Sequence, residues 1–406
     1  MKVLVVGSGG REHALAWKLA QASDLAQLHA APGNPGIAAL GDCHPVRADD
    51  AESLLGLARN LHVDLVVIGP EAPLVAGVAD ELRHTGIAVF GPGREAAQIE
   101  GSKSFAKDVM IAAGVPTAER LAVARPPCVI KADGLAAGKG VFVCRTAEEL
   151  DAGLRAAAAF PGPLVIEELL DGEEVSVFGL SDGRTVVPLA PAQDFKRISD
   201  GDQGPNTGGM GSYSPVPQLG LDEVEELLDR VHRPVVAALA QRGSPFVGVL
   251  FAGLMLTASG PRVLEFNCRF GDPETQSMVP RLEGDLLGAL AAAAGGDVSH
   301  IELEAGDKAA VTVVLAGRGY PERSDAGTAI HGVREAEAAG VLVFHAGTAL
   351  RGNRLVTNGG RILNVTATGS SIAAARDSAY AACERISFDG LQYRRDIALA
   401  AAQAGA

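Results

Sequence analysis

The sequence predicts a multidomain protein of mixed α/β and α+β class, on three observations. Through the first quarter of the chain short apolar runs alternate with roughly ten-residue amphipathic segments, the pattern of parallel strands joined by crossover helices. Past that point strands of antiparallel character are separated by glycine-rich loops. A last region mixes strands with a single helix. The 406 residues, 47% hydrophobic and 21% charged, suffice for two or three domains with substantial cores and are unlike a disordered composition.

Taken in order, "KVLVVG", "LHAAPG", "VDLVVIGP" and "IAVFGP" read as strands, with helices "REHALAWKLAQ", "AESLLGLARNLH" and "PLVAGVADELRHTG" between them. This is a Rossmann-like parallel sheet, and ligands on such sheets bind beyond the carboxyl ends of the strands. Three of those ends carry unusual loops, "GSGGREH", "APGNPG" and "GPEAPL". The texture changes at "GSKSFAKDVMIAAGVPTAE", a helix followed by the strand–loop–strand "PPCVIKADGLAAGKGVFVCRT". An alanine-rich helix, the strands of "GPLVIEELLDGEEVSVFGLSDG" and "TVVPLAPAQDFKR", and the long loop "ISDGDQGPNTGGMGSYSP" come next. The helix "DEVEELLDRVHRPVVAALAQRG" and the strands "VGVLFAGLMLT" and "PRVLEFNCRF" close the middle region. From Lys308 onward come "AAVTVVLAG", "VLVFHAG" and "RILNVTATG", the helix "SSIAAARDSAYAACERI" and a hairpin signal at "TNGGR".

Composition excludes several function classes. A net charge of −14 opposes general nucleic-acid binding, which needs Lys and Arg to neutralise phosphates, though local basic groups and backbone N–H groups can hold a small anion. The five cysteines are scattered without metal-ligand spacing. No apolar run approaches a bilayer span, and "MKVLVVGSGG" reads as a first strand, not a signal peptide. A cytoplasmic protein without membrane contact is expected.

Five stretches carry chemistry. "GSGGREH" opens a helix after a strand, but Glu12 replaces the third glycine of a dinucleotide fingerprint; a phosphate pocket using helix-terminal N–H groups and Arg11 competes with a plain tight turn, and NAD comes last. "GLAAGKG" is one residue short of a phosphate-binding P-loop and is followed by a strand. It suits a flap over nucleotide phosphates, with Lys131 and Lys139 supplying charge, or a bland hairpin. "VIEELLDGEEVSV" is either a solvated turn or a hinge reading an adenine edge, with a later carboxylate on ribose. The run from Asp194 to Pro215 is a glycine loop too long to be idle, unless it is disordered. Finally, "VLEFNCRFGDPETQ" holds Glu265, Asn267, Arg269, Asp272 and Glu274 within ten positions. Glu265 and Asn267, at i and i+2 of a strand, present two oxygens on one face, and Mg²⁺ takes few protein oxygens beside water and phosphates. Arg269 would continue that face as a counter-charge; a core carboxylate–arginine pair is the alternative.

Lys131, "ADGLAAGKG", "EELLDGEE" and "LEFN" resemble the ATP-grasp ligases. More narrowly, "RFGDPETQ" with "GPNTGGMG", "GSGGREH", "APGNPG" and "GPEAPL" resembles the glycinamide ribonucleotide synthetase family, over nearly the whole chain including "GRILNVTATG" and "YRRDI". The resemblance implies a Rossmann-like domain over 1–102, an ATP-grasp domain over 103–307 with a flap at about 118–181, and a small mixed C-terminal domain over 308–406. It implies ATP-driven joining of glycine to 5-phosphoribosylamine through glycyl phosphate. Lys103 and Lys131 would contact ATP phosphates under a flap containing Gly134, Gly138, Lys139 and Gly140. Glu167, Glu168, Leu169 and Leu170 would form the adenine hinge, with Glu174, or else Glu173, on the ribose. Glu265 and Asn267 would ligate Mg²⁺ or Mn²⁺.

Around glycine and its acyl phosphate the resemblance sets Arg269, Asp194, Lys196, Asp272, Gly208, Gly209 and Met210, with Arg269, Asp194 and Lys131 as the catalytic groups. The acceptor's ribose phosphate would lie against Gly9, Gly10, Arg11, Asn34, Pro70 and Glu71. "VGVLFAGLMLT" lacks the acidic ligand that many ATP-grasp enzymes carry there, so a two-residue protein shell for the metal is expected. A ligase with another acceptor and a non-catalytic nucleotide-binding regulator are the remaining readings. The chain's end near Ala406 suggests one activity, in a monomer or weak homodimer.

Overall fold

The computed structural model describes residues 1–136 and 139–404; Gly138, expected in the flap, lies outside them. Five parallel strands form the N-terminal sheet. Lys2–Gly7 is central, with Gln27–Pro32 and Asp42–Cys43 to one side and Leu65–Ile68 and Ala88–Phe90 to the other. Val3, Leu4, Val5 and Val6 are fully buried, as a parallel strand covered on both faces requires. The strand order reverses beside Lys2–Gly7, and such sheets place ligands in the crevice outside the carboxyl ends there. "GSGGREH" and "GPEAPL" leave from those ends, opening the helices Gly10–Leu19 and Glu71–Ala76.

Cys128–Ala132, paired antiparallel with Val141–Cys144 and Leu164–Glu168, makes a separate three-stranded sheet. The helix Ala147–Ala157, started by a Thr146–Glu149 capping box, packs on it. Among the described residues its core is a separate cluster of Cys128, Ile130, Cys144 and Ala157 with a few half-buried neighbours, so this unit is weakly bound to the rest by apolar contact.

The remaining large sheet has eight antiparallel strands. Gly260–Asn267 lies at one edge, followed by Val247–Thr257, Glu173–Asp182, Val186–Asp194, Gly211–Ser214, Ala309–Ala316, Arg361–Gly369 and Leu342–His345. The C-terminal strands therefore continue the central sheet, spliced to it by the four-residue strand Gly211–Ser214 at the end of the glycine loop. Tyr213 on that strand belongs to the C-terminal core with Val311, Val313 and Val365.

One local expectation changes. The strands on either side of "TNGGR", Arg354–Gly359 and Arg361–Gly369, do not pair with each other, because they belong to different sheets. The hairpin turn lies instead at Gly352 and Asn353, where Arg351 faces Arg354. The glycine loop is ordered, with a small hairpin of Arg197–Ser199 and Gln203–Asn206. Arg394 of "YRRDI", 1% exposed, holds it by pairing with Asp202 at 2.6 Å and Asp396 at 2.7 Å. Among the described residues, no helix is long and apolar enough to cross a membrane.

Candidate active site

Two cavities open between these units. The larger, about 1040 Å³, lies between the three-stranded sheet, the edge strand Gly260–Asn267 and the N-terminal crevice. The smaller, about 410 Å³, is lined by Ser8, Gly9, Pro32, Gly33 and Asn34 on one side and by Ala346, Gly347, Thr348 and Asn358 on the other. Asp272 and Arg361 line both.

In the larger cleft Lys131 Nζ donates to the Leu264 carbonyl at 2.7 Å and pairs with Glu167 at 2.7 Å. Leu264 is the extra residue of a bulge, since Gly253 faces Glu265 while Leu254 faces Val263, and the bulge re-aims that carbonyl. The other Glu167 oxygen holds Lys107 at 2.6 Å. The Glu167 side chain is thus a buried partner for two lysines. Lys103 Nζ donates to Gly134 O at 2.7 Å, and Asp133 accepts from the N–H groups of Lys103 (2.6 Å) and Gly134 (3.0 Å) and from the Ser104 hydroxyl. Asp133 therefore ties the glycine loop to the first turn of the helix Lys103–Ala112. Burial, opposed by Glu265 and Asp133, lowers the Lys103 ammonium below its usual range.

Glu265 and Asn267 share one face of their strand, Glu265 opposite Gly253 and Asn267 opposite Phe251. Among the described residues neither side chain has a hydrogen-bonding partner, and both line the cleft. One carboxylate and one amide oxygen unspent on the protein fit a hard cation that keeps water and phosphate ligands.

Arg269 does not continue that face, because the strand ends at Asn267. Its guanidinium is held instead by Glu100 at 2.9 Å and Glu71 at 3.3 Å. Glu100 also accepts the Cys268 N–H at 2.8 Å. Burial, opposed by Arg269, raises the Glu100 carboxyl, whereas Arg269 and Arg11 overcome burial at Glu71 and bring it to about 2. Arg11 also donates to the Phe270 carbonyl at 3.1 Å.

Along the cleft wall, Glu168 pairs with Arg262 (2.9 Å) and accepts the Glu119 N–H (2.8 Å), and Leu169 and Leu170 line the cavity beside it. Glu173 accepts from Gln193 and Gln218 at 3.1 and 2.9 Å. Glu174 and Asp194 both pair with Lys196, at 2.7 and 2.8 Å. Burial would depress the Lys196 ammonium, but Asp194 and Glu174 outweigh it and hold it well above its usual range. Glu274, at the start of the helix Glu274–Met278, is 3% exposed and borders this group. Burial and then Asp194 push its carboxyl up to about 7, against Lys196 and Arg269.

At the smaller cavity Arg361 clasps two segments. It donates to Asp272 Oδ2 (2.9 Å), Asp272 O (2.7 Å) and the carbonyl of Gly208, and Tyr320 accepts the Gly208 N–H at 3.0 Å. Gly9 caps the helix Gly10–Leu19 and donates to Glu12 at 2.6 Å. His13 lies beneath, accepting the His345 N–H at 2.8 Å.

Of the sequence-predicted residues, Arg11, Pro70, Glu71, Lys103, Lys131, Gly134, Lys139, Gly140, the hinge, Glu173, Glu174, Asp194, Lys196, Gly208, Glu265, Asn267, Arg269 and Asp272 meet in the larger cleft. Gly9 and Asn34 line the smaller. Asn34 spends its amide on the carbonyls of Ser8 and His345 and on the N–H groups of Gly36 and Ile37, so its side chain shapes the loop. Three residues line neither cavity. A Cβ on Gly10 would run into the Asn364 and Gln276 amides. Met210 is wholly buried. Gly209, at φ +106°, makes room for the Pro273 ring.

The comparisons with known proteins agree along the whole chain. Residues 1–100, 101–275 and 310–400 match the phosphoribosylglycinamide synthetase N domain, ATP-grasp (A) domain and C domain. The chain belongs to the phosphoribosylglycinamide synthetase family. Relatives called phosphoribosylamine–glycine ligase include that of Streptomyces coelicolor, 51% identical over all of both chains, and that of Mesorhizobium japonicum, 49% identical over 98% of this chain and 97% of its own. A crystal structure of phosphoribosylamine–glycine ligase from Thermotoga maritima superposes with a TM-score of 0.83 at 35% identity, covering 98% of this chain and 100% of that one. The biotin carboxylase domain of a Hydrogenobacter thermophilus 2-oxoglutarate carboxylase, in complex with MgADP, shares the fold at a TM-score of 0.71 and 19% identity, over 96% and 91% of the two chains.

Three residues of this phosphoribosylglycinamide synthetase family member's cavities escape local sequence reading. Glu100 and Arg361 act through partners far along the chain, Arg269 and Asp272. Glu274 stands inside the quoted "GDPETQ" stretch, so its position was visible but its lack of a partner was not.

Proposed function

We propose that the two cavities hold the two halves of one condensation: ATP and glycine in the larger, and 5-phosphoribosylamine in the smaller and along the adjoining wall of the larger at Arg11, Pro70 and Glu71, joining where Asp272 and Arg361 border both. Family membership and the relatives called phosphoribosylamine–glycine ligase make the activity that of an ATP-dependent carboxylate–amine ligase of purine biosynthesis. The observation that carries the residue roles is the unspent Glu265–Asn267 pair facing Lys131 and Lys103 across the larger cleft.

In this reading the glycine carboxylate attacks the γ-phosphorus, the bridging P–O bond to ADP breaks, and glycyl phosphate forms. The ribosylamine nitrogen then attacks the acyl carbon, the C–O bond to phosphate breaks, and the nitrogen loses a proton. Phosphoryl transfer asks mainly for positioning and charge neutralisation. Glu265 and Asn267 would hold Mg²⁺ or Mn²⁺, which when bound offsets phosphate charge. Lys131, fixed by Glu167 and Leu264 O, and Lys103, fixed by Gly134 O, place positive charge beside the phosphates. The weakly packed three-stranded sheet closes over them as a flap, carrying Lys139 and Gly140. Leu169 and Leu170 present backbone to the adenine, and Glu174 faces the ribose; Glu173, held by two glutamines, is the poorer candidate. Arg269 and Lys196 offset the charge of glycine and its phosphate, with Asp194 orienting Lys196. Gly9, Arg11, Pro70 and Glu71 receive the acceptor. The setting is the cytoplasm, and the chain acts as a monomer or weak homodimer.

The test is ADP release from MgATP with glycine and freshly generated 5-phosphoribosylamine supplied together and each omitted in turn. Release that needs both, with glycinamide ribonucleotide identified by mass, is the expected result. Release indifferent to the ribosylamine would overturn the acceptor assignment.

A further inference from the structure

The condensation leaves one proton unassigned: the one the amine nitrogen must lose as its bond to the acyl carbon forms. The cleft holds many carboxylates, and nearly all are engaged. Glu167 bridges Lys107 and Lys131, Glu174 and Asp194 share Lys196, and Glu71 and Glu100 grip Arg269. Asp272 is paired with Arg361 and accepts from Gln276 at 2.6 Å. Glu168 and Glu173 are turned to Arg262 and to glutamines. Glu265 belongs to the phosphate side. Glu274 remains: a carboxylate 3% exposed, lining the cleft, with no polar partner among the described residues except its own backbone N–H. It lies two positions beyond Asp272, which borders both cavities. In the proposed arrangement this sets it, on the larger cleft's side, beside the junction at which the acyl phosphate would meet the amine.

We infer that Glu274 is the proton acceptor of the second half-reaction, taking the proton from the ribosylamine nitrogen as the C–N bond forms and the acyl C–O bond to phosphate breaks. This deepens the reading above and rests on it. The charged groups facing Glu274 are Asp194, which opposes its ionisation, and Lys196, Arg269 and Arg361, which favour it. Burial and Asp194 prevail and set its carboxyl near about 7, where a general base is most effective.

Hydroxylamine separates this step from the first, because it captures an acyl phosphate as the hydroxamate without the acceptor site. With MgATP and glycine the wild type should make glycine hydroxamate, and Glu274→Gln should do so within about threefold. Its amide formation with 5-phosphoribosylamine should fall about 100-fold or more, the range of a lost general base, without a matching rise in the acceptor's KM. Glu274→Asp, which keeps a carboxylate, should recover most of the amide rate. The wild-type ratio of amide to hydroxamate should rise with pH through about 7, and in Glu274→Gln that rise should vanish. Amide formation that survives Glu274→Gln, or an equal loss of both products in both variants, overturns the assignment. No hydroxamate from the wild type would instead remove the acyl phosphate, and this inference with it.

Discussion

Glu167 holds two lysines with one carboxylate, and all three side chains are buried. Lys107 also donates to the Ala118 carbonyl and the Thr117 hydroxyl, so it cannot follow solvent if its partner is lost. Glu167→Gln removes the charge with almost no change in volume and leaves two buried ammonium groups. Breaking a buried pair in this way costs about 3–5 kcal/mol, and urea denaturation should show a loss of that order. Glu265→Gln is the contrasting case at the same scale. Glu265 has no partner among the described residues to strand, so the melting temperature should hold while glycine-dependent ADP release falls by about two orders of magnitude or more, the scale of lost charge stabilisation in phosphoryl transfer. Retained turnover would show that Glu265 holds no metal. These residues differ in how far the sequence foretells them. Lys131, Glu265 and Asn267 sit in short stretches whose period or glycines mark them, and the pleat alone puts the last two on one face. Glu100 meets Arg269 across 169 positions and Arg361 meets Asp272 across 89. No local pattern encodes such meetings.

Among the elements, the strands of the N-terminal sheet are legible because continuous apolar runs and amphipathic helices each have their own period. The strand Gly211–Ser214 is not, since "GSYS" carries neither an apolar run nor alternation, yet it splices the two halves of the large sheet. The glycine loop before it is ordered by a residue nearly two hundred positions away. Arg394 reaches Asp202 across 192 positions, and its guanidinium lies 4.9 Å from the Phe195 ring centroid. Asp194 and Lys196 flank Phe195, so the same arginine fixes the strand end that carries them. Arg394→Met keeps much of the volume and loses the fork. Limited proteolysis should then cut within residues 198–206, which resist in the wild type, and the KM for glycine should rise about tenfold, equivalent to ~1.4 kcal/mol. An uncut loop with an unchanged KM would mean that the hairpin orders itself.

At the scale of the whole molecule, three of the buried histidines make stability depend on acid. His13 lies between the N-terminal sheet and the C-terminal strands, His232 on the central sheet, and His345 on the last strand of the large sheet. Burial holds them at about 3, 4 and 4, with His345 adding to the effect at His13. Below the ordinary histidine value of 6.5 the unfolded chain takes up protons that the folded chain refuses, so stability falls as pH drops from 6.5 towards 4. Glu274 acts in the opposite sense. With its carboxyl raised from 4.5 to about 7, the folded chain keeps a proton that the unfolded chain releases, so stability falls as pH rises from 4.5 to 7. Burial raises Glu100 and Glu174 too, and the opposing sets flatten the wild-type curve. Single substitutions separate them. His232→Gln should lessen the acid-side loss by about 1.4 kcal/mol per pH unit below 6.5, the linkage of one proton. Glu274→Gln should remove a decline of the same order as pH rises from 4.5 to 7. Urea denaturation at half-unit steps would therefore tilt the two variants in opposite directions around the wild type between pH 4.5 and 6.5. Curves parallel to the wild type would show that neither group changes protonation on unfolding.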